Sequence, residues 1–359
     1  MSTKNAEPGS VCPMIHWVEN GNDCSARWRS EAGVLPPKRV QVVDDHTVVL
    51  INQDIEPDLL FLLGQATAII VEPKSAATNA TKPVGTGPYR LDHWAKGAAL
   101  TLVRWDGHRN AGSARIRRAT FRFIPDPAAQ VAALLAGDVD AFPRVTPRGK
   151  TILAMNNARK PLQDVRVRRA IAAAIDRKTV IQAAADGLGV PIGSHYVPGA
   201  FGYVDTTGIN PYDLDKAKKL IAEAGVKTPL HLTMTLPPAP YARQGGEVIA
   251  AELAKIGVTV KLQNVEWAQW LSGTYGAKNY DLTLISHVEP FDLGNFAKPG
   301  YYWGYQSERF NALFEKIQNT ARPADRARLL GDAQRLLAED CVHAFLYQPQ
   351  WVPVAAKNL

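Results

Sequence analysis

The spacing of apolar and polar positions changes several times along the chain, and each change marks an element. Residues 1–33 follow no period and read as an irregular tail rich in Gly and Pro breaks. From Arg39 the pattern alternates. Arg39–Val43 and Thr47–Ile51 are β-rich runs around Asp44-Asp45-His46, which predicts a hairpin. Pro57–Leu63 reads as a short helix and Ala68–Val71 as a strand. Tyr89–Trp94 and Ala99–Arg104 predict a second hairpin turning at Lys96-Gly97, followed by a strand over Arg118–Ile124. A short helix at Asp126–Leu135, stopped by Gly137, leads to a strand at Val139–Phe142.

The clearest pattern is in the middle. Thr151–Met155 has strand length and stops at the polar pair Asn156-Asn157. Asp164 then stands where a helix N-cap belongs, able to accept from the free N–H groups of the first turn. Val167, Ile171, Ala174, Ile175 and Ala184 keep a helical period up to Gly187, which predicts one long helix with Arg166, Arg168 and Arg169 on its wet side. Further on, Asp213 or Asp215 caps a helix closed by Gly225. A strand at Leu230–Leu236, a helix at Tyr241–Ile256 and a strand at Val258–Val265 form a β-α-β unit, whose crossover dictates parallel pairing. A short helix over Glu266–Tyr275 and a strand over Tyr280–Ser286 come next. Two helices, Ser307–Thr320 and Pro323–Cys341, precede closing strands at Ala344–Tyr347 and Val352–Ala355.

Composition narrows the class. At 359 residues, two lobes are expected rather than one core. Apolar residues make up 46%, yet no run reaches the ~20 residues of a membrane span. The net charge is +7, but the arginines are scattered over helix faces without interleaved aromatics, which favours a solvated basic surface over a nucleic-acid partner. The three cysteines, Cys12, Cys24 and Cys341, have no metal-motif spacing, and Cys12 with Cys24 could close a loop disulfide in an exported protein. The start MSTKNAEPGSVCPM has no charged segment followed by an apolar one, so no secretory signal is expected from it.

Candidate chemistry gathers late in the chain. The strand ending at Ser286 runs into His287, Glu289 and Asp292, and ligands in α/β lobes tend to sit at strand ends. His287 and Glu289, two apart, suggest a metal only weakly, and a structural histidine is favoured. Trp267, Trp270, Tyr301, Tyr302 and Trp303 are dense enough to line a pocket. A cleft position and a core position fit Trp267 and Trp303 equally, whereas the core is favoured for Trp270. No nucleophile–base constellation is present, so a hydrolase is disfavoured, and no cofactor is called for.

Seven phrases in order carry a resemblance over Pro37–Leu359. They are VVDDHTVVL, VGTGPYRL, AALLAGDVDAF, LAMNN with PLQDVRVRRAIAAAIDRKTVI, YDLDKAKKLIAEAG, AAELAKIGVTVKL and FNALFEKI. Together they resemble the extracytoplasmic solute-binding proteins of ABC importers, family 5, the peptide, opine and nickel type. The resemblance implies an α/β, two-lobed periplasmic-binding-protein-like fold with mixed sheets, a hinge and a ligand cleft, with lobe I incomplete. It divides the chain into a tail at 1–33, a partial lobe I at 34–148, lobe II at 149–345 and a return to lobe I at 346–359. It also implies a chain shortened at both ends and around residues 146–150. The expected function is capture of a small organic solute, peptide-like or opine-like, by a monomer that docks on ABC permease subunits in the periplasm or at the cell surface. A non-transporting remnant is the alternative. Family peptide binders place an aspartate where Ser286 stands here, and Glu289 or Asp292 is left to replace it. An arginine near Arg243, beside Tyr241, meets a ligand carboxylate in such relatives, and a surface role fits it equally. Asn156 and Asn157 face the implied hinge, as pocket or as turn residues.

Overall fold

The computed structural model describes residues 39–44, 46–52, 55, 59–64, 73–124, 126–142, 149–289, 292–350 and 353–357. The tail with Cys12 and Cys24, the strand expected at Ala68–Val71, the start of the helix expected at Pro57, Val352, and the shortened stretch at residues 146–148 lie outside them. The chain divides into two compact units, one of Met1–Phe142 with Val354–Leu359 and one of Pro143–Pro353.

The first unit has small sheets. β1 (Arg39–Asp44) and β2 (Thr47–Ile51) form the expected hairpin, and α1 follows at Leu59–Leu63. β3 (Tyr89–Ala95), β4 (Ala99–Arg104) and β5 (Arg118–Arg122) make a three-stranded antiparallel sheet. α2 (Pro127–Leu135) starts on Asp126, whose carboxylate accepts from the Ala129 N–H. β6 (Ala141–Phe142) pairs with β13 (Val354–Ala355). Burial is sparse: Ser75, Ala76, Thr101, Ala114 and Ala133 are the buried side chains among the described residues of this unit. Trp94, Phe121, Phe123 and Leu135 are exposed.

The second unit is a sheet covered on both faces. Its elements are β7 (Lys150–Met155), α3 (Val165–Ala173), α4 (Arg177–Ala185), β8 (Gly189–Pro191), α5 (Leu214–Glu223), β9 (Leu230–Leu236), α6 (Pro240–Ala254) and β10 (Val258–Asn264). α7 (Trp267–Gln269) runs on into a wider π turn at Trp270–Gly276, and β11 (Leu282–His287), α8 (Glu308–Gln318), α9 (Pro323–Glu339) and β12 (His343–Pro349) complete it. The strand order is β10-β9-β11-β7-β12-β8. β9 pairs in parallel with β10 and β11, as the β-α-β pattern requires, while β7 runs antiparallel between β11 and β12. Alternation along β7 sends Leu153 and Met155 into the core under α3–α6, and Ile152 and Ala154 into the core under α8 and α9. A strand buried on both faces reads as a continuous apolar run, which is why Thr151–Met155 stood out.

Two expectations are corrected and one alternative is decided. The long central helix is two helices. Asp176 breaks it because its carboxylate accepts from the Lys178 N–H and the Thr179 hydroxyl, capping a new start. Arg168 is not on the wet side. It is buried, and its guanidinium donates to the carbonyls of Leu162, Gln163, Asp340 and Cys341. The planar fork carries five donors, enough for all four carbonyls. Past residue 346 the chain still belongs to the second unit, which runs to Pro353. β12 continues to Pro349 because Tyr347, Gln348 and Pro349 pair with β8, and Gln350 N–H donates to Leu188. The cap alternative is decided for Asp213, whose carboxylate accepts from Lys216 N–H.

Candidate functional site

The polar chemistry of the second unit collects at one sheet edge. Parallel pairing brings the C-terminal ends of β9, β10 and β11 to the same side. The antiparallel strands put the start of β7 and the end of β12 there too, with His287 opposite Lys150 and Thr151 opposite Tyr347. Both chain connections to the first unit therefore leave from this edge.

A buried charged cluster sits in it. Lys150 Nζ donates to Asp292 Oδ1 and to the Glu289 carbonyl, each at 2.6 Å. The other Asp292 oxygen accepts from His195 Nε2 at 2.8 Å. Lys150, Asp292 and His195 are all buried. Burial acts to raise the Asp292 pKa, but His195 and Lys150 outweigh it and hold the carboxyl well below its usual range. Burial pushes His195 down to about 4, so at neutral pH its imidazole is uncharged and carries the proton on Nε2. His287 reaches both acids, with Nδ1 at 3.4 Å from Glu289 Oε2 and 4.0 Å from Asp292 Oδ2. Its Nε2 lies 2.8 Å from the Tyr302 hydroxyl. The hydrogen bond from His287 pulls Glu289 down to about 2, yet the Glu289 side chain stays mostly exposed.

Two residues sequence reasoning missed, Lys150 and His195, are central here. Lys150 had only its place one residue ahead of the apolar run to mark it. His195 comes from a loop with no periodic signal. Gly193 lets that loop run inward, because a Cβ there would lie 2.2 Å from the Thr206 carbonyl carbon.

The structure assigns several expected site residues to the fold. Trp303 is wholly buried, stacked on Phe296 at 4.5 Å. Asn156 Nδ2 donates to the Lys278 and Tyr280 carbonyls, while its Oδ1 accepts from the Ala158 N–H. Asn157 Nδ2 donates to the carbonyls of Met155, Trp303 and Val342. For the two asparagines the reason is local: loop carbonyls at the strand end need donors, and the amides supply them. Trp270 is buried as favoured, its indole N–H bonded to Thr283 Oγ1. The Tyr241 hydroxyl accepts from the Ser286 N–H at 2.9 Å, and burial pushes its pKa up to about 12. Ser286 Oγ is buried without a partner. Trp267 and Arg243 are exposed, and Arg243 lies 3.7 Å from Glu266. Thus His287, Glu289 and Asp292 come together, while the Asn156 and Asn157 amides bond backbone carbonyls and Trp303 is buried.

His287, Glu289 and Asp292 have ligand atoms all within 4.8 Å of one another, the spacing a metal ion would need. Asp292, however, already has a cation: Lys150 supplies the positive charge that a metal would bring.

A model of the bacterial extracellular solute-binding proteins, family 5 middle region, matches residues 15–302. Heme-binding protein A of Haemophilus influenzae is 27% identical over 363 residues, covering 89% of this chain and 64% of that protein. The dipeptide-binding protein of Escherichia coli is 29% identical over 364 residues, covering 86% of this chain and 67% of that protein. The chain thus spans about two thirds of the length of these relatives. Among solved structures, the ABC transporter-associated periplasmic binding protein DppA of Helicobacter pylori, in complex with the peptide STSA, superposes with a TM-score of 0.75. It is 22% identical, with 89% of this chain and 70% of that one covered.

Proposed function

The chain belongs to the bacterial extracellular solute-binding proteins, family 5, and on that premise we propose that it is the substrate-binding component of an ABC importer. Its family is made of solute-binding proteins rather than enzymes. The proposed action is reversible capture of a small organic solute, peptide-like or opine-like, between two lobes that close about a hinge. The ligand stabilises the closed state by its higher affinity for it. The proposed partners are that solute and the permease subunits of the importer, met by a monomer in the periplasm or at the cell surface.

One observation carries the reading. The edge from which both chain connections leave the second unit also holds the buried group of Lys150, Asp292, His195 and His287. On this reading Glu289 is the carboxylate left to meet a cationic group, because Asp292 is committed to Lys150 and His195. Arg243 would meet an anionic group and Trp267 an apolar body, with the Ser286 hydroxyl and Tyr241 between them.

Isothermal titration of the full chain against short peptides and amino-acid conjugates, beside a thermal-shift screen, is the test. A saturable ligand with a matching rise in Tm supports capture. If no compound binds and none moves Tm, the transport reading fails. The exposed apolar side chains of the first unit favour a second reading, a non-transporting relative of these proteins.

A further inference from the structure

We propose that Lys150 is the specificity residue of this edge: its ammonium fills, from within the chain, a seat built for a primary amine. The seat is defined by two acceptors that converge on one nitrogen. Asp292 Oδ1 and the Glu289 carbonyl oxygen each lie 2.6 Å from Nζ. A carboxylate and a carbonyl aimed at one point are what an incoming ammonium needs to replace its water.

The seat is held in place independently of Lys150. His195, wholly buried behind it, donates to the second oxygen of Asp292 and fixes the carboxylate plane. Lys150 itself enters from the first position of β7, opposite His287, with its side chain only 5% exposed. An amine-bearing solute could reach Asp292 only by expelling this lysine, which would strand a buried ammonium. The seat therefore rejects primary amines. A solute's primary amine is thereby kept from Asp292, and Glu289 is the acid left to it.

This inference rests on the solute-binding reading, and chemical rescue separates the two. The full chain with Lys150→Ala has Asp292 without its cation and space where the side chain was. Millimolar butylammonium should raise the Tm of this variant by several degrees and leave the wild type unmoved. Butan-1-ol should do neither, and Lys150→Ala combined with Asp292→Asn should lose the response. Should Lys150→Ala not fold alone, the readout is its refolding yield with butylammonium against butan-1-ol. The proposal is overturned if butylammonium helps neither Tm nor refolding, if butan-1-ol helps as much, or if the wild type responds equally. Rescue without any solute binding to the wild type keeps the seat and sinks the transport reading. Solute binding without rescue does the reverse.

Discussion

Glu252 shows how one buried group sets a pH dependence. It lies on α6 and accepts from the Asp176 N–H, so it links two helices. Burial raises its pKa from 4.5 to about 7. The folded state therefore binds this proton more tightly than the unfolded chain does. Its stabilising contribution is whole below pH 4.5 and is lost as pH rises through about 7. Glu252→Gln keeps the acceptor without the charge. Above that window it should be more stable than the wild type by on the order of 2 kcal/mol, with the gain fading toward acid. Urea unfolding at several pH values checks this, and a pH-independent difference would refute it. Glu289 makes the opposite kind of prediction. Its carboxylate is largely exposed, which weakens its bond to His287, so Glu289→Gln should lower Tm only slightly. Titration with a cationic solute found in the screen should show about a tenfold loss of affinity. Affinity within about twofold of wild type would remove Glu289 from the ligand's surroundings.

At the scale of elements, short polar contacts decide where helices stop and start. α3 and α4 would be one helix on apolar period alone, and Asp176 divides them. Arg168 then ties α3 to the end of α9, through the Asp340 and Cys341 carbonyls, and to the turn at Leu162 and Gln163. Four carbonyls depend on one guanidinium. Arg168→Ala should cost about 3 kcal/mol, read by urea unfolding, since it leaves buried acceptors unpaired. Arg168→Lys should recover little, because one ammonium cannot span acceptors set out for a planar fork. Full recovery by lysine would mean that charge, not geometry, holds this joint. The spacing of Arg166, Arg168 and Arg169 could not reveal this, because two of the carbonyls that hold Arg168, those of Asp340 and Cys341, come from residues more than a hundred positions away.

Across the whole molecule, the two units differ in how much they bury. The second has two continuous cores on either side of one six-stranded sheet. The first has, among its described residues, five buried side chains and exposed Trp94, Phe121 and Leu135. Opening free energy follows buried apolar contact, so the second unit should resist local unfolding longer. Limited proteolysis should cut the first unit early and leave a stable fragment close to Pro143–Pro353. Simultaneous loss of both units would show that they unfold as one and would undo this account.

The sequence alone determined what is local and periodic. Thr151–Met155 announced a strand by its apolar run, and Asp164, the pair Asp213 and Asp215, and Ser307 announced helix starts by their carboxylate or hydroxyl. The parallel pairing of β9 with β10 followed from a β-α-β pattern, and collinear phrases pointed to the family. Cap chemistry and hydrophobic period act over a few residues, so they are written where they act. The tertiary structure decided the partners of polar groups. Asn156, Asn157 and Trp303 each fitted two environments equally in sequence; in the fold the two amides are bonded to backbone carbonyls and Trp303 is buried. Asp292 looked like a free acid and is held by Lys150, 142 positions away in sequence, and by His195 from an unpatterned loop. A carboxylate's availability depends on which cation folding brings beside it, and no period in the sequence records that distance.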